Sequence, residues 1–339
     1  MAIINSSGAI LAKARAMYGK RLTLQDYNSL LRMQSISEVA SFLKGHPGYG
    51  DVMEEVNEAL IHRGQLENLL RKALFEKYYR LSSFSFSSGD SIYQLMVSRY
   101  EIRQVMACIR LLGAGRMEEY ITSVPPYLQG HTSLDLMQIA KVRSMDDLRQ
   151  ALAGTPYLAY LNTGADVPDY TMVETRLREA YYARLTKHAG KHGGKLKELV
   201  YTQAELFNIT TIYRMKFLFR MERVTILSYL LPYRSKLSPA AFKKLLWAER
   251  EEDFIHLLKH SGYRRLMEDT GFSSPEDFTR RCEEQLCRRI VHFSSDTEAV
   301  LLAFLQLSEI EADNLTAIIE GIRYEIPAEQ IRPLLILPQ

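Results

Sequence analysis

The sequence predicts an all-α chain made of three similar helical bundles that arise from an internal triplication. Three observations predict it. An amphipathic stripe recurs three times in the same register, a second polar motif recurs behind it at matching intervals, and period-two alternation is nearly absent. The stripes lie in Thr23–Leu43, Thr132–Leu152 and Ser238–Leu258, which align without a gap.

Each segment opens on a hydroxyl residue, and Thr23, Thr132 and Ser238 are therefore the expected N-caps. A capping oxygen accepts from a backbone N–H that the first helical turn leaves free. Asp26 and Asp135 follow three residues later, where the helix dipole favours an anion. Pro239 follows Ser238, a position where the missing N–H costs nothing. The apolar positions then coincide as Tyr27/Leu136/Phe242, Leu30/Ile139/Leu245 and Leu31/Ala140/Leu246. Their i, i+3, i+4 spacing is one stripe of a helix. A polar break at Ser35/Ser144/Arg250 predicts a second short helix, which buries Val39/Leu148/Phe254 and Leu43/Leu152/Leu258. Each copy then reaches a turn that ends in an aromatic residue, at Gly45–Tyr49, Gly154–Tyr157 and Ser261–Tyr263.

The second recurring motif is Glu101-x-x-Gln104, Glu205-x-x-Asn208 and Glu311-x-x-Asn314. The interval from Asn208 to Asn314 equals that from Tyr157 to Tyr263, so two separate elements repeat with one period. The amide at Gln104, Asn208 and Asn314 is expected to be structural and to bond a neighbouring helix end, because a buried amide needs partners. Between the motifs run helix-favouring stretches such as Leu66–Tyr79 and Val173–Leu185. Phe84 and Phe86 alternate with serines and read as a loop between two long helices. Gly and Pro cluster at Gly113–Gly115, Pro125-Pro126, Pro232 and Pro327 and divide the chain into repeats over 1–120, 121–230 and 231–339. A unit of about a hundred residues exceeds a solenoid repeat and can hold its own core. Stacking in a row and closure about a pseudo-threefold axis both remain open.

Composition narrows the chemistry. The chain has 339 residues, 47% of them hydrophobic and 24% charged, with a formal net charge of +3. That balance is ordinary for a globular protein and too weakly basic to argue for nucleic acid. Cys108, Cys282 and Cys287 form no paired framework and fit a reducing compartment. The N-terminus lacks the basic n-region of a signal peptide, and the apolar run Val224–Tyr233, broken by Ser228 and Pro232, is too short to span a bilayer.

Catalytic motifs are missing or incomplete. The chain has no Gly-x-x-x-x-Gly-Lys-Ser/Thr and no Gly-x-Ser-x-Gly. Gly190–Lys195 is rich in Gly and Lys but has no Ser or Thr after the lysine, and it reads as a mobile interhelix loop. His256 and His260 share a helix face, yet Leu257 stands where zinc proteases carry Glu. Asp146-Asp147 resembles a metal-binding pair of helical prenyl-transfer enzymes, but a helix N-terminus explains it. No catalytic residue, cofactor or metal site is expected.

One stretch fits a partner surface. Lys216, Arg220 and Arg223 fall at i, i+4, i+7, which would make one face of a helix basic, with Phe217, Leu218, Met221 and Val224 on its apolar side. Acidic groups on a partner are the expected counterpart.

The order Tyr-x-x-Leu-Leu, short helix, turn ending in Tyr, and Glu-x-x-Asn-Leu, together with Ile326–Arg332 near the end, resembles the C subunit of V-type (archaeal and bacterial A-type) ATPases and its eukaryotic relative, the d subunit. The departure is Gln104 in the first copy where the others carry Asn. The resemblance implies a funnel of three bundles and a non-catalytic rotor component of the central stalk. Such a component lies at the cytoplasmic face and couples shaft subunits D and F to the membrane proteolipid ring during proton or sodium transport. The alternatives are a free-standing helical adaptor with an unrelated partner and, less favoured, an all-α enzyme.

Overall fold

The structure is a computed structural model and describes residues 2–82, 92–161, 169–265 and 274–338. The expected loop with Phe84 and Phe86 lies outside the described residues. Every regular element among the described residues is helical. The chain divides into two compact units, one formed by 1–86 with 192–339 and the other by 87–191.

In the first unit, α1 (Ala2–Tyr18) precedes the short helices α2 (Leu24–Leu30), α3 (Ile36–Gly45) and α4 (Gly50–Met53), and the long α5 (Arg63–Ser82) follows. The second unit holds the long α6 (Ile92–Gly113), the short helices α7 (Glu118–Ser123), α8 (Leu136–Ile139), α9 (Met145–Ala151) and α10 (Leu158–Leu161), and α11 (Tyr170–His192), which runs to its end. The chain then returns to the first unit through α12 (Gly194–Tyr213), α13 (Arg223–Leu227), α14 (Pro239–Trp247) and α15 (Glu251–Lys259). It finishes with α16 (Pro275–Phe293), α17 (Thr297–Arg323) and α18 (Ala328–Ile331).

Two of the three predicted caps, Thr23 and Ser238, begin their helices, and the serines of two polar breaks cap as well. Thr23 accepts from the Asp26 N–H while the Asp26 carboxylate accepts from the Thr23 N–H, a reciprocal capping box. Ser144 and Asp147 form another, and Ser35 and Ser238 cap α3 and α14. Thr132 departs from expectation. Asp135 caps α8 by accepting from the Gln138 N–H, and the Thr132 hydroxyl is turned to Glu101. The Gly190–Lys195 loop is also absent. Its residues belong to α11 and α12 apart from Gly193, and Gly193 and Gly194 break the helix with φ +68° and +57°.

The stripes point inward as predicted. Leu30, Ile139 and Leu245 are buried, as are Val39/Leu148/Phe254 and Leu43/Leu152/Leu258. Burying each such side chain contributes about 1.5–3 kcal/mol. Phe242 is the exception on the stripe and is only half-buried. One core of the first unit joins both ends of the chain, because Tyr27, Leu30, Val39 and Leu43 pack with Leu66 and Leu70 of α5 and with Leu315, Ile318 and Ile319 of α17.

Candidate functional site

The two recurring motifs meet. Glu101 on α6, Glu205 on α12 and Glu311 on α17 are all buried, and each accepts a hydrogen bond from a turn tyrosine of a later or wrapped-round segment. Tyr157 donates to Glu101 at 2.5 Å, Tyr263 to Glu205 at 2.8 Å and Tyr49 to Glu311 at 2.7 Å. Each carboxylate also holds the segment that leads into a capped short helix. Glu101 accepts from the Thr132 hydroxyl and from the Ser133 N–H and hydroxyl. Glu205 accepts from the backbone N–H groups of Ser235, Lys236 and Leu237. Glu311 accepts from the Leu22 N–H and the Arg21 guanidinium, with the Lys77 ammonium 3.8 Å away. Burial, and next the adjacent carboxylate, push the Tyr49 and Tyr263 phenols well above their ordinary value.

The turn must come close for this to work. A Cβ on Gly48 would lie 2.6 Å from the Lys20 carbonyl oxygen, and one on Gly262 would run into the Lys236 carbonyl. The residue before the tyrosine is therefore glycine in both turns, whereas Pro156 holds that place before Tyr157. One helical turn beyond the carboxylates, Asn208 exchanges two hydrogen bonds with the backbone of Leu231 and Asn314 does the same with Ile336. These amides hold backbone outside the helices, where the sequence suggests a helix end. Gln104 instead accepts from the Tyr120 hydroxyl at 3.2 Å. Each carboxylate is bonded by several donors and so serves as a joint between segments.

The basic stretch is built differently from the predicted helix face. After Tyr213 the helix widens into a π-helical turn, Arg214–Leu218, and Arg220 takes φ +52°. The Met221 N–H closes the turn on the Met215 carbonyl at 2.8 Å, and α13 starts afresh at Arg223. Lys216, Arg220 and Arg223 therefore do not share one helix face. Lys216 donates to the Leu246 carbonyl at 2.6 Å at the end of α14. Arg223 lies 4.4 Å over the Trp247 ring and 3.7 Å from Glu249. Arg220 has no ion-pair partner among the described residues. The apolar side is divided as well. Phe217 packs on Tyr213 and Phe254, while Val224 is 78%, Phe219 63%, Leu218 59% and Trp247 54% exposed. The sequence does not announce this bend because it carries no Gly or Pro to mark it; a π-turn and a left-handed arginine leave no such punctuation.

With the joints and this surface in view, comparison with known proteins decides the family. The model of the ATP synthase (C/AC39) subunit family matches residues 10–334. The chain belongs to that family. The A-type ATP synthase C subunit of Methanosphaera stadtmanae is 24% identical, covering 96% of this chain and 86% of its own length. The proteins of the same name from Methanothermobacter thermautotrophicus and Thermococcus kodakarensis are 21% and 22% identical. They cover 92% and 95% of this chain and 83% and 88% of their own lengths.

The other residues singled out by the sequence have local partners in this family member. The His256 and His260 rings lie 4.2 Å apart at their centroids, tilted by 33°, and the His260 Nδ1 lies 2.8 Å from the His256 carbonyl oxygen. Asp147 closes its capping box; the Arg143 N–H, then the Ser144 hydroxyl, hold its carboxyl below the usual range. Cys108, Cys282 and Cys287 are buried, and burial pushes the Cys108 thiol up to about 12. Among the described residues no group of three His, Cys, Asp or Glu side chains could hold a metal, and no helix is long and apolar enough to cross a membrane.

Proposed function

We propose that this chain is a non-catalytic central-stalk component of a V/A-type rotary ATPase. In this reading it lies peripherally at the cytoplasmic face and passes torque between shaft subunits D and F and the membrane proteolipid ring. It does so during ATP-driven or ATP-synthesising proton or sodium transport. Three copies of one helical unit, over 1–120, 121–230 and 231–339, form a funnel-like body.

The observation that carries the reading is the recurring carboxylate joint. Torque transmission needs stiffness and no reactive group, and close-packed interiors transmit strain. Glu101 and Glu205 each tie a long helix to the tyrosine turn of the following copy. Glu311 ties the last long helix to Tyr49 of the first copy in the same way. Family membership supports the assignment to a rotary complex. Lys216, Arg220 and Arg223 are proposed to face a partner outside this chain, and the bond from Lys216 to the Leu246 carbonyl also gives it a structural task.

The test is reconstitution with tagged shaft subunits and a detergent-solubilised proteolipid ring. The chain is expected to bind both and to hydrolyse no ATP alone. Failure to bind either partner, with the fold intact by circular dichroism, would refute the coupling role.

A further inference from the structure

The segment that carries the bend has a charge of its own. Between Arg214 and Arg250 nine side chains are Lys or Arg and two are Asp or Glu, a net charge of +7 in a chain whose total is +3. The remaining residues together are therefore net negative. The same segment carries exposed Leu218, Phe219, Val224 and Trp247. Contacts bring its two ends together. Lys216 bonds the Leu246 carbonyl, Arg223 covers one side of Trp247, and the Lys243 ammonium lies 5.9 Å from the centre of that ring. The bend itself is strained, since Arg220 occupies a left-handed conformation that residues with a side chain rarely adopt. Arg220 follows the exposed Phe219 where the helix ends, and among the described residues its guanidinium has no ion-pair partner.

We infer that the bend from Lys216 to Val224, with Trp247 beside it, is a contact site for an anionic lipid surface. Apolar side chains that enter the headgroup region, cations that meet the phosphates and an indole at the interface are what such a surface accepts. Long cationic side chains suit it because their stems lie along the apolar layer while their heads reach the charges. An acidic helix of a protein partner fits less well. Helix recognition uses a groove with anchors at i, i+3, i+4 and i+7, and here the apolar side chains stand on a turn and on the end of α14. The inference goes beyond the coupling role, which names only protein partners, and the purified chain tests it without them.

Trp247 is the single tryptophan of the chain, so its emission reports on this surface alone. The experiment adds phosphatidylcholine vesicles, with or without one-third phosphatidylglycerol, to the unmodified full chain at low salt. Emission is expected to shift to the blue and to become protected from acrylamide with the anionic vesicles only. Raising the salt is expected to reverse most of the shift, because exposed charges are screened. Arg220→Gly relaxes the left-handed position and so keeps the fold. It is expected to weaken vesicle binding about fivefold, the effect of one cation near an anionic surface. Phe219→Ser, at an exposed site, is expected to weaken binding as well. An unchanged emission with anionic vesicles, an equal response to neutral ones, or parental binding by Arg220→Gly would overturn the inference. A shift with soluble polyglutamate but not with vesicles would also overturn it and assign the surface to an acidic protein. Vesicle binding without capture of shaft or ring would sink the coupling role alone.

Discussion

Glu205 and Glu311 perform the same task with different partners. Both are fully buried, both sit three residues before a buried asparagine, and both accept from a turn tyrosine. Glu205 is otherwise held by three successive backbone N–H groups and makes no ion pair with a side chain among the described residues. Glu311 has one backbone N–H and two cations, Arg21 and Lys77. A buried carboxylate thus needs enough donors, and these can be peptide dipoles or full charges. The difference shows in the neighbours. Burial, the largest single influence, would lower Arg21, but Glu311 together with Tyr27, Tyr18 and Tyr49 raises it, whereas burial lowers Lys77 despite the same carboxylate.

The strongest test of that contrast is to neutralise each carboxylate without changing its shape. Glu311→Gln leaves Arg21 and Lys77 buried without their anion, and its expected cost is about 3–5 kcal/mol. Glu205→Gln leaves no uncompensated charge, only mismatched donors, and should cost about 1–3 kcal/mol. Urea unfolding followed by Trp247 emission reads both, since Trp247 and both joints lie in the same compact unit. Equal costs would show that the cations at Glu311 are incidental.

The tyrosines are what the two joints share, so they should respond alike. Tyr49→Phe and Tyr263→Phe each remove a hydrogen bond to a charged acceptor, worth about 1.5–3 kcal/mol. Both phenols are raised in the folded protein by burial and then by the carboxylate, so the folded state keeps a proton that the unfolded state gives up first. Stability from this source is complete below about pH 10, the ordinary tyrosine value, and falls as pH rises beyond it. Urea midpoints measured from neutral to alkaline pH should drop above that point. The drop should be shallower in either Phe variant. A change in one variant alone would mean that the donor sets, not the phenols, govern the alkaline response.

How much of this is legible in the sequence follows the range of the forces involved. The stripes and caps are readable because periodicity and capping act within one or two turns, as at Leu30, Ser144 and Ser238. Both halves of the joints are visible, Glu205 and Tyr263 included. Their pairing is not, because no local rule links residues 58 positions apart. Thr132 fails as a cap for the same reason: a distant carboxylate, Glu101, competes for its hydroxyl. At Lys216–Arg223 the helical pattern continues in the sequence while the backbone leaves it, through a π-turn that composition does not announce. The sequence therefore shows the basic and apolar chemistry of that surface but misplaces its geometry.

The smallest expected effect comes from the one short helix in this set whose cap residue cannot cap. α3 and α9 begin at Ser35 and Ser144, which accept from the third residue of the helix. The matching position before α15 is Arg250, with no side-chain cap and with its guanidinium on Asp253 at 2.9 Å. Its backbone is already extended, at φ −109° and ψ 153°, as an N-cap requires. Asp253 stands where Asp147 stands in the Ser144 capping box. Arg250→Ser would therefore complete the box. A hydroxyl cap is generally worth about 1 kcal/mol. The exposed pair that is lost offsets part of that, since surface ion pairs contribute little. The expected outcome is a small rise in the urea midpoint at Trp247, and a larger rise at high salt relative to the parent, where the lost pair is screened. A fall would mean that Arg250 holds more than Asp253 and that the three short-helix starts are not interchangeable.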